Sequence, residues 1–334
     1  MSDGQSAQGP LCHCSMLPAF LALDMWFLAS CLFSHPFVTA QDTSHEHVLT
    51  VDTRFVLLPV MVTNREGHFV SGLDVSNFRV YENGRPQKID VFRNSDVPVT
   101  VGLVVDHSGS MSSKMDKVIE GTLAFVQASN PQDREFAVNF SDAVSLGLAP
   151  SVAFTSNTND LRAALLATRP SGKTALYDAL EVALEHLRSD PSDKKAILLI
   201  SDGGDNASSH NFAQVLRMAQ STNVIIYTIG LLDEYDADQN PQVLKKLARE
   251  TGGEAYFPNS IPAITDTCRQ IAMDIRHQYT LGYTPPNTGQ SGYRKLRVSV
   301  RAESWGKLFV RTRSGYFLPS NPSIPAAPSR GQGQ

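Results

Sequence analysis

A mainly parallel α/β domain of the doubly wound type, inserted between two β-rich segments that form a small β-sandwich, is the fold this sequence predicts. Three observations carry the prediction. Val101, Leu103, Val104 and Val105 form a short, nearly unbroken apolar run that stops at Asp106-His107-Ser108-Gly109-Ser110. Such a run suits a strand buried on both faces, at the centre of a parallel sheet. Residues 98–277 then alternate strand and helix patterns, the signature of repeated βα units. Residues 47–95 and 278–317 carry β patterns on either side of it, and no helix-period pattern appears before Ser112.

Along the chain, the first forty residues contain no Lys or Arg and only two acids, Asp3 and Asp24. Leu17 to Phe33 is strongly apolar, and Val38-Thr39-Ala40 fits a small-residue cleavage site before Gln41. Residues 1–40 therefore read as an export signal, although the basic start is missing and Asp24 interrupts the apolar run. An uncleaved membrane anchor is the alternative. Leu28-Ala29-Ser30-Cys31 also resembles a lipoprotein cleavage box that would leave Cys31 lipidated. Cys12-His13-Cys14 has no matching second half for a metal site and reads as leader. Cys268 lies at helical spacing from Ile264, Ile271 and Ile275, so a buried structural thiol is expected.

Residues 41–96 read as the N-terminal part of the sandwich. Val48 to Val62 is rich in Val, Leu and Phe, Asn64 to Gly67 is a turn, and Phe78 to Tyr81 alternates faces. Asn83-Gly84 is a strong hairpin signal before Gln87 to Phe92. In 97–278, Ser112 or Ser113 is expected to cap a helix carrying Met115, Val118, Ile119, Leu123 and Val126. Glu135–Phe140 and Val144–Leu148 read as a hairpin around Ser141-Asp142. A short helix follows at Leu161–Leu166, then one just after Thr174 with Leu176, Leu180, Ala183, Leu184 and Leu187 inward. Ala196–Ile200 is a second central strand, ending at Ser201-Asp202. Helices at Phe212–Ala219, Val243–Arg249 and Ile261–His277 alternate with strands at Val224–Ile229 and Ala255–Phe257. Residues 279–317 return to β, with strands at Tyr279–Tyr283, Leu296–Arg301 and Leu308–Thr312 and a loop at Pro285–Gly289. Residues 318–334, rich in Pro, Ser and Gly, read as a disordered tail. Either β segment alone would leave an open sheet edge; pairing the two closes one sandwich around the α/β insertion.

Charge is nearly balanced, with 29 Lys+Arg against 33 Asp+Glu, and nothing suggests a nucleic-acid partner. Chemistry concentrates where the central strand stops. One carboxylate and two hydroxyls stand on a tight loop at the carboxyl end of a strand, the edge where open α/β sheets bind ligands. All are hard oxygen donors, suited to Mg²⁺ and similar cations.

In TVGLVVDHSGSM, the pattern Asp106-x-Ser108-x-Ser110 resembles the metal-ion-dependent adhesion site of von Willebrand factor type A domains. Thr174 in SGKTALYDAL and Asp202 in KKAILLISDGGDN stand where that site's other two segments fall. The resemblance covers about Pro98 to His277. Through SGLDVSNFRVYENG, QYTLGYTPP and RSGYF the wider chain is similar to exported proteins of this family of the acidobacterial type. The resemblance implies that Asp106, Ser108, Ser110, Thr174 and Asp202 hold Mg²⁺ or Mn²⁺, with the serines in direct contact. It also implies a protein partner that offers an Asp or Glu carboxylate to the ion, in the periplasm, cell envelope or medium. Contact with a membrane would come only through an uncleaved leader or a lipidated Cys31.

His107 is expected to face outward beside the metal rim, without a catalytic role. Asp205 and Asn206 could shape the rim or be ordinary turn residues; Asp178 could hydrogen-bond the site's loops or simply be solvated. The residues do not favour an enzyme. A haloacid-dehalogenase-type phosphotransfer site needs an acid where this chain has Ser108, and no Gly-x-Ser-x-Gly elbow occurs. A structural envelope protein whose A domain needs no ion is the remaining alternative.

Overall fold

The computed structural model describes residues 55–233, 238–286 and 292–318. The expected leader at 1–40 with Cys12, Cys14 and Cys31, the loop at 287–289 and the tail from 319 lie outside the described residues. Before the α/β domain come β1 (Val56–Thr63), β2 (Phe78–Glu82), β3 (Arg85–Gln87) and β4 (Val91–Arg93). The domain itself runs β5 (Thr100–Asp106), α1 (Met115–Ala128), β6 (Arg134–Phe140), β7 (Val144–Leu146), α2 (Thr158–Leu166), α3 (Leu176–Arg188), β8 (Lys195–Ser201) and α4 (Phe212–Thr222). It continues with β9 (Ile225–Gly230), α5 (Pro241–Thr251), β10 (Ala255–Tyr256) and α6 (Ala263–Arg276). After it come β11 (Tyr279–Tyr283), β12 (Gly292–Val300), β13 (Phe309–Arg311) and β14 (Gly315–Leu318).

Six strands form the central sheet in the order β10-β9-β8-β5-β6-β7, parallel except for β7. The apolar run of β5 is buried throughout because helices cover both faces. Within that run the faces still alternate. Val101, Leu103 and Val105 pack with α1 and α6 through Val118, Phe125 and Ile271, whereas Val104 packs with α3 through Leu180 and Leu184. Cys268 is buried in the first of these layers, and burial pushes its thiol up to about 12, as suits a structural cysteine. From β5 the chain moves to β6 on one side and later to β8 on the other. The sequence order therefore reverses between β5 and β8, and the carboxyl ends of these two strands frame a crevice.

The start of α1 differs from expectation. A 3-10 turn, Gly109–Met111, follows the loop, and α1 begins at Met115 behind Lys114, which makes no side-chain cap. The Ser112 hydroxyl instead donates to the Gly109 carbonyl at 2.9 Å. The loop after β5 thus needs its own turn before the helix can propagate.

Two four-stranded antiparallel sheets, β13-β1-β11-β4 and β14-β12-β2-β3, make the sandwich, and each combines strands from both flanks. The hairpin between β2 and β3 turns through Asn83 (φ 48°) and Gly84 (φ 80°), both left-handed, which matches the right-handed strand twist. Leu58, Val60, Phe78, Val80, Tyr279 and Leu281 fill the core between the sheets. β14 had no strand reading of its own in the sequence; Leu318, expected in the tail, is its last residue. The insertion enters and leaves at one place. Arg276, the last residue of α6, pairs with Asp96 at 2.8 Å, just before β5.

Candidate metal centre

Asp106 ends β5 and Ser201 ends the neighbouring β8, so their side chains meet at the crevice. Asp106 is 0% exposed; its Oδ2 accepts from the Ser201 hydroxyl at 2.6 Å and its Oδ1 from the Ser108 amide at 2.8 Å. Ser201 is held in turn by the Gly203 amide, which donates to its Oγ at 3.0 Å. The Ser110 hydroxyl donates to Asp202 Oδ2 at 2.7 Å, and the Ser108 and Ser110 hydroxyl oxygens stand 3.2 Å apart. Asp202 Oδ1 accepts from the Gly204 amide at 3.0 Å. Gly203 has φ 85°, and a Cβ there would lie 2.5 Å from the Asn240 carbonyl, so the loop after β8 closes only with glycine at that position.

The loop carrying Thr174 is tied to this cluster through its backbone. Gly109 N–H donates to the Gly172 carbonyl at 3.2 Å and Ser171 N–H to the His107 carbonyl at 2.8 Å. Thr174 N–H donates to Asn206 Oδ1 at 2.9 Å, and the Asn206 and Ala207 amides return to the Thr174 carbonyl at 3.0 and 3.1 Å. Asn206 is therefore the clasp between two site loops. The Thr174 hydroxyl makes no hydrogen bond to the other four residues, so the side-chain cluster itself consists of Asp106, Ser108, Ser110 and Asp202.

Asp178 is also tied into the loops rather than merely solvated. It accepts from the Ser209 and His210 amides, each at 2.9 Å, and from His210 Nδ1 at 2.8 Å. Burial alone would raise its carboxyl, but these bonds outweigh it and hold the group at about 2. Asp205 accepts from the Ser208 hydroxyl and from the Tyr177 amide, which positions the start of α3.

His107 does not face outward. It is 0% exposed, with Nδ1 3.1 Å from the Val105 carbonyl and Nε2 3.1 Å from the Leu165 carbonyl. The step from strand to loop turns its ring toward α2, between the Val105 carbonyl of β5 and the Leu165 carbonyl of α2. It braces the loop from behind and presents no nitrogen to the crevice. Sequence reading also missed Ser201 as a partner of Asp106 and Asp142 as a partner of the Thr174 loop, where it accepts from the Lys173 amide. The signal for Ser201 was its place as the last strand residue beside Asp106; Asp142 gave none, because its hairpin meets the loop only in three dimensions.

Burial pushes Asp106 up to about 6, and the nearby Asp202 carboxylate adds to the rise, against the hydrogen bonds from Ser201 and Ser108. Among the described residues no Lys, Arg or His pairs with either carboxylate. Nor do three or more His, Cys, Asp or Glu gather anywhere as a metal site among them. The donors at this crevice are carboxylate and hydroxyl oxygens alone, the chemistry that suits a hard divalent cation. The residues present therefore fit such an ion, which would supply the positive charge the two carboxylates lack.

The family model described as von Willebrand factor type A domain matches residues 100–270, just over half of the chain. The chain belongs to that family. Among curated proteins, an uncharacterized protein of Borreliella burgdorferi is 28% identical over 104 residues, covering 26% of this chain and 30% of that protein. The chain thus matches about 30% of the length of this relative. Among solved structures, a von Willebrand factor type A protein from Catenulispora acidiphila is 13% identical, with TM-score 0.49 over 80% of this chain and 74% of that one. The vWF domain of the type V pili tip protein Mfa5 from Porphyromonas gingivalis is 17% identical, with TM-score 0.44 over 54% of this chain and 97% of that one. The PilB minor pilin from Streptococcus sanguinis is 16% identical, with TM-score 0.42 over 55% of this chain and 63% of that one.

Proposed function

We propose that this von Willebrand factor type A protein is an exported, non-enzymatic binding protein of the cell envelope or its surroundings. It holds one Mg²⁺ or Mn²⁺ through Asp106, Ser108, Ser110, Thr174 and Asp202, and takes a carboxylate from an Asp or Glu of a protein partner. The observation that carries the reading is the pair of buried carboxylates, Asp106 and Asp202, each accepting from a serine hydroxyl at the crevice, with no cationic side chain among the described residues to neutralise them. Export and the acidobacterial type rest on the leader and flanks of the sequence.

When bound, such an ion supplies a Lewis-acidic position on which an incoming carboxylate replaces water. The chain's own groups set how strongly it does so. Only Asp106 and Asp202 contribute charge, so their two negative charges no more than cancel the ion's two positive ones and leave no net negative charge to repel a third carboxylate from an open coordination position. Ser201 and the Ser108 amide orient Asp106, and Asn206 fixes the backbone of Thr174. The placement of His107, with both ring nitrogens on backbone carbonyls, supports a binding rather than a catalytic reading.

The test is to capture a partner from envelope extract in Mg²⁺ and to measure its affinity in Mg²⁺, in chelator, and with Thr174→Ala. Truncating one partner of a buried charged contact costs roughly 2–5 kcal/mol, about 30-fold to several-thousand-fold. Chelator and Thr174→Ala are each expected to remove most binding. Equal affinity under all three conditions would place the contact elsewhere and remove the mechanism.

A further inference from the structure

The outer face of the β14-β12-β2-β3 sheet, which shares no residue with the crevice described above, gathers positive charge. Strand register fixes this. Phe78 and Val80 of β2 pair with Val300 and Val298 of β12, and these residues pack in or against the sandwich core. The alternate positions face outward: Arg79 and Tyr81 on β2, and Lys295, Arg297 and Ser299 on β12. Arg79 stands opposite Ser299, so its diagonal neighbours are Arg297 and Arg301. The ladder reaches that far because Arg301 N–H donates to the Asn77 carbonyl at 2.9 Å. Three guanidinium-bearing residues thus surround the position of one serine hydroxyl.

With Tyr81 they line a cleft of about 410 Å³ that has no Asp or Glu in its wall. Two of the arginines are held before any ligand arrives. Arg297 lies over the Tyr81 ring, 4.2 Å from its centroid, and Arg79 donates to the carbonyls of Ser76 and Phe78 at 2.9 and 2.8 Å. Among the described residues none of the three forms an ion pair. The contrast with the inward face of the same strand is direct. There Arg294 is buried and pairs with Glu82 at 2.5 Å. The inward arginine is compensated, and the three outward ones of β2, β12 and the residue after β12 are left for solvent or a ligand.

We propose that this cleft is an anion site that takes a phosphate ester. Guanidinium forks match tetrahedral oxyanions, and pre-held arginines lose less freedom on binding. Three forks and a hydroxyl offer more donors than the two oxygens of one carboxylate accept. The cleft falls in the size range of small-ligand sites and leaves room for the ester's organic group beside the phosphate. A lipid headgroup and a soluble phosphate ester share this chemistry. The site is independent of the cation and of the crevice at Asp106.

The experiment is calorimetry on the full chain with glycerol 3-phosphate, at constant ionic strength and in chelator so that no cation bridges the phosphate. Parallel flotation uses vesicles of phosphatidylcholine with and without phosphatidic acid. One ligand per chain is expected. Arg79→Gln and Arg301→Gln are each expected to weaken it about tenfold, Arg297→Lys less than Arg297→Gln, and Lys295→Gln little. Circular dichroism of these surface variants is expected to be unchanged. Vesicle binding with the same losses assigns a lipid source, and glycerol 3-phosphate binding alone a soluble one. The proposal is overturned if glycerol 3-phosphate does not bind, or if Lys295→Gln costs as much as Arg301→Gln, which would mean diffuse charge. It is also overturned if only an oligonucleotide binds, with affinity that grows with its length.

Discussion

Replacing Asp106 with Asn isolates the energetic peculiarity of the crevice, a buried carboxylate with no cationic side chain beside it among the described residues. Asn keeps the shape and can still accept from the Ser108 amide, but removes the charge. Burial raises Asp106 from 3.8 to about 6 in the metal-free fold, roughly two units, or about 3 kcal/mol. The sign follows from proton linkage. The folded state holds this proton more tightly than the unfolded state, so the group's stabilising contribution is complete below about pH 3.8. It is lost as pH rises through about 6. At pH 7.5 without metal the wild type therefore carries the full penalty, and Asp106→Asn is expected to be more stable by about 3 kcal/mol. That corresponds to a rise in Tm of roughly 6–12 °C for a fold of this size. The gap should close toward pH 4, where the wild-type carboxyl is protonated. Mg²⁺ at about 100 times its Kd should return about 2.7 kcal/mol to the wild type and nothing to the variant. The assay is urea or thermal unfolding of metal-stripped proteins at pH 4.5 and 7.5, repeated in Mg²⁺. A variant no more stable than the wild type at pH 7.5 without metal would refute the claim that the charge at Asp106 is uncompensated.

Thr174→Ala is expected to lower Mg²⁺ affinity less than Asp106→Ala, because it removes no charge; titration calorimetry compares the two. Burial pushes Glu135 from 4.5 up to about 8, and one of its carboxylate oxygens has no hydrogen bond, so its contribution to stability is present below pH 4.5 and lost as pH rises through 8. Glu135→Gln should flatten that part of the wild-type stability profile in urea melts taken from pH 4 to 9. Glu82 accepts from Tyr283 and Tyr316 at 2.6 and 2.8 Å and pairs with buried Arg294, so Glu82→Ala should cost about 3–5 kcal/mol in unfolding free energy. Residues 41–96 expressed alone should show no cooperative unfolding by circular dichroism, because β1 and β2 find their main partners in β11 and β12, whereas residues 97–278 alone should fold.

Much of the α/β domain was legible because its signals are local. An apolar run stopping at Asp106 marks a central strand wherever it occurs, and the helical spacing of Leu176, Leu180 and Leu187 fixes the buried face of α3. The hairpin at Asn83-Gly84 was equally plain, since its turn needs two left-handed residues in a row. The cap at Ser112 or Ser113 was misjudged because the loop after β5 is shaped by contacts to Gly172 and Phe140, distant in sequence.

The same division runs through the site. The sequence by itself determined the donor types, their order, and that Asp106 and Asp202 stand at the ends of strands. It could not determine that those strands are neighbours, and so could not show that Ser201 donates to Asp106 or that Asn206 clasps Thr174. Nor could it give the direction of His107, because a residue at a strand end can point into the crevice or beneath it. Only the turn of the backbone toward Leu165 decides. Composition likewise showed balanced charge, while strand register alone gathered Arg79, Arg297 and Arg301 on one face. Local patterns fix which elements form, since they depend on neighbours along the chain. Which side chains meet is fixed by pairing across the fold, where one step of register exchanges inside for outside.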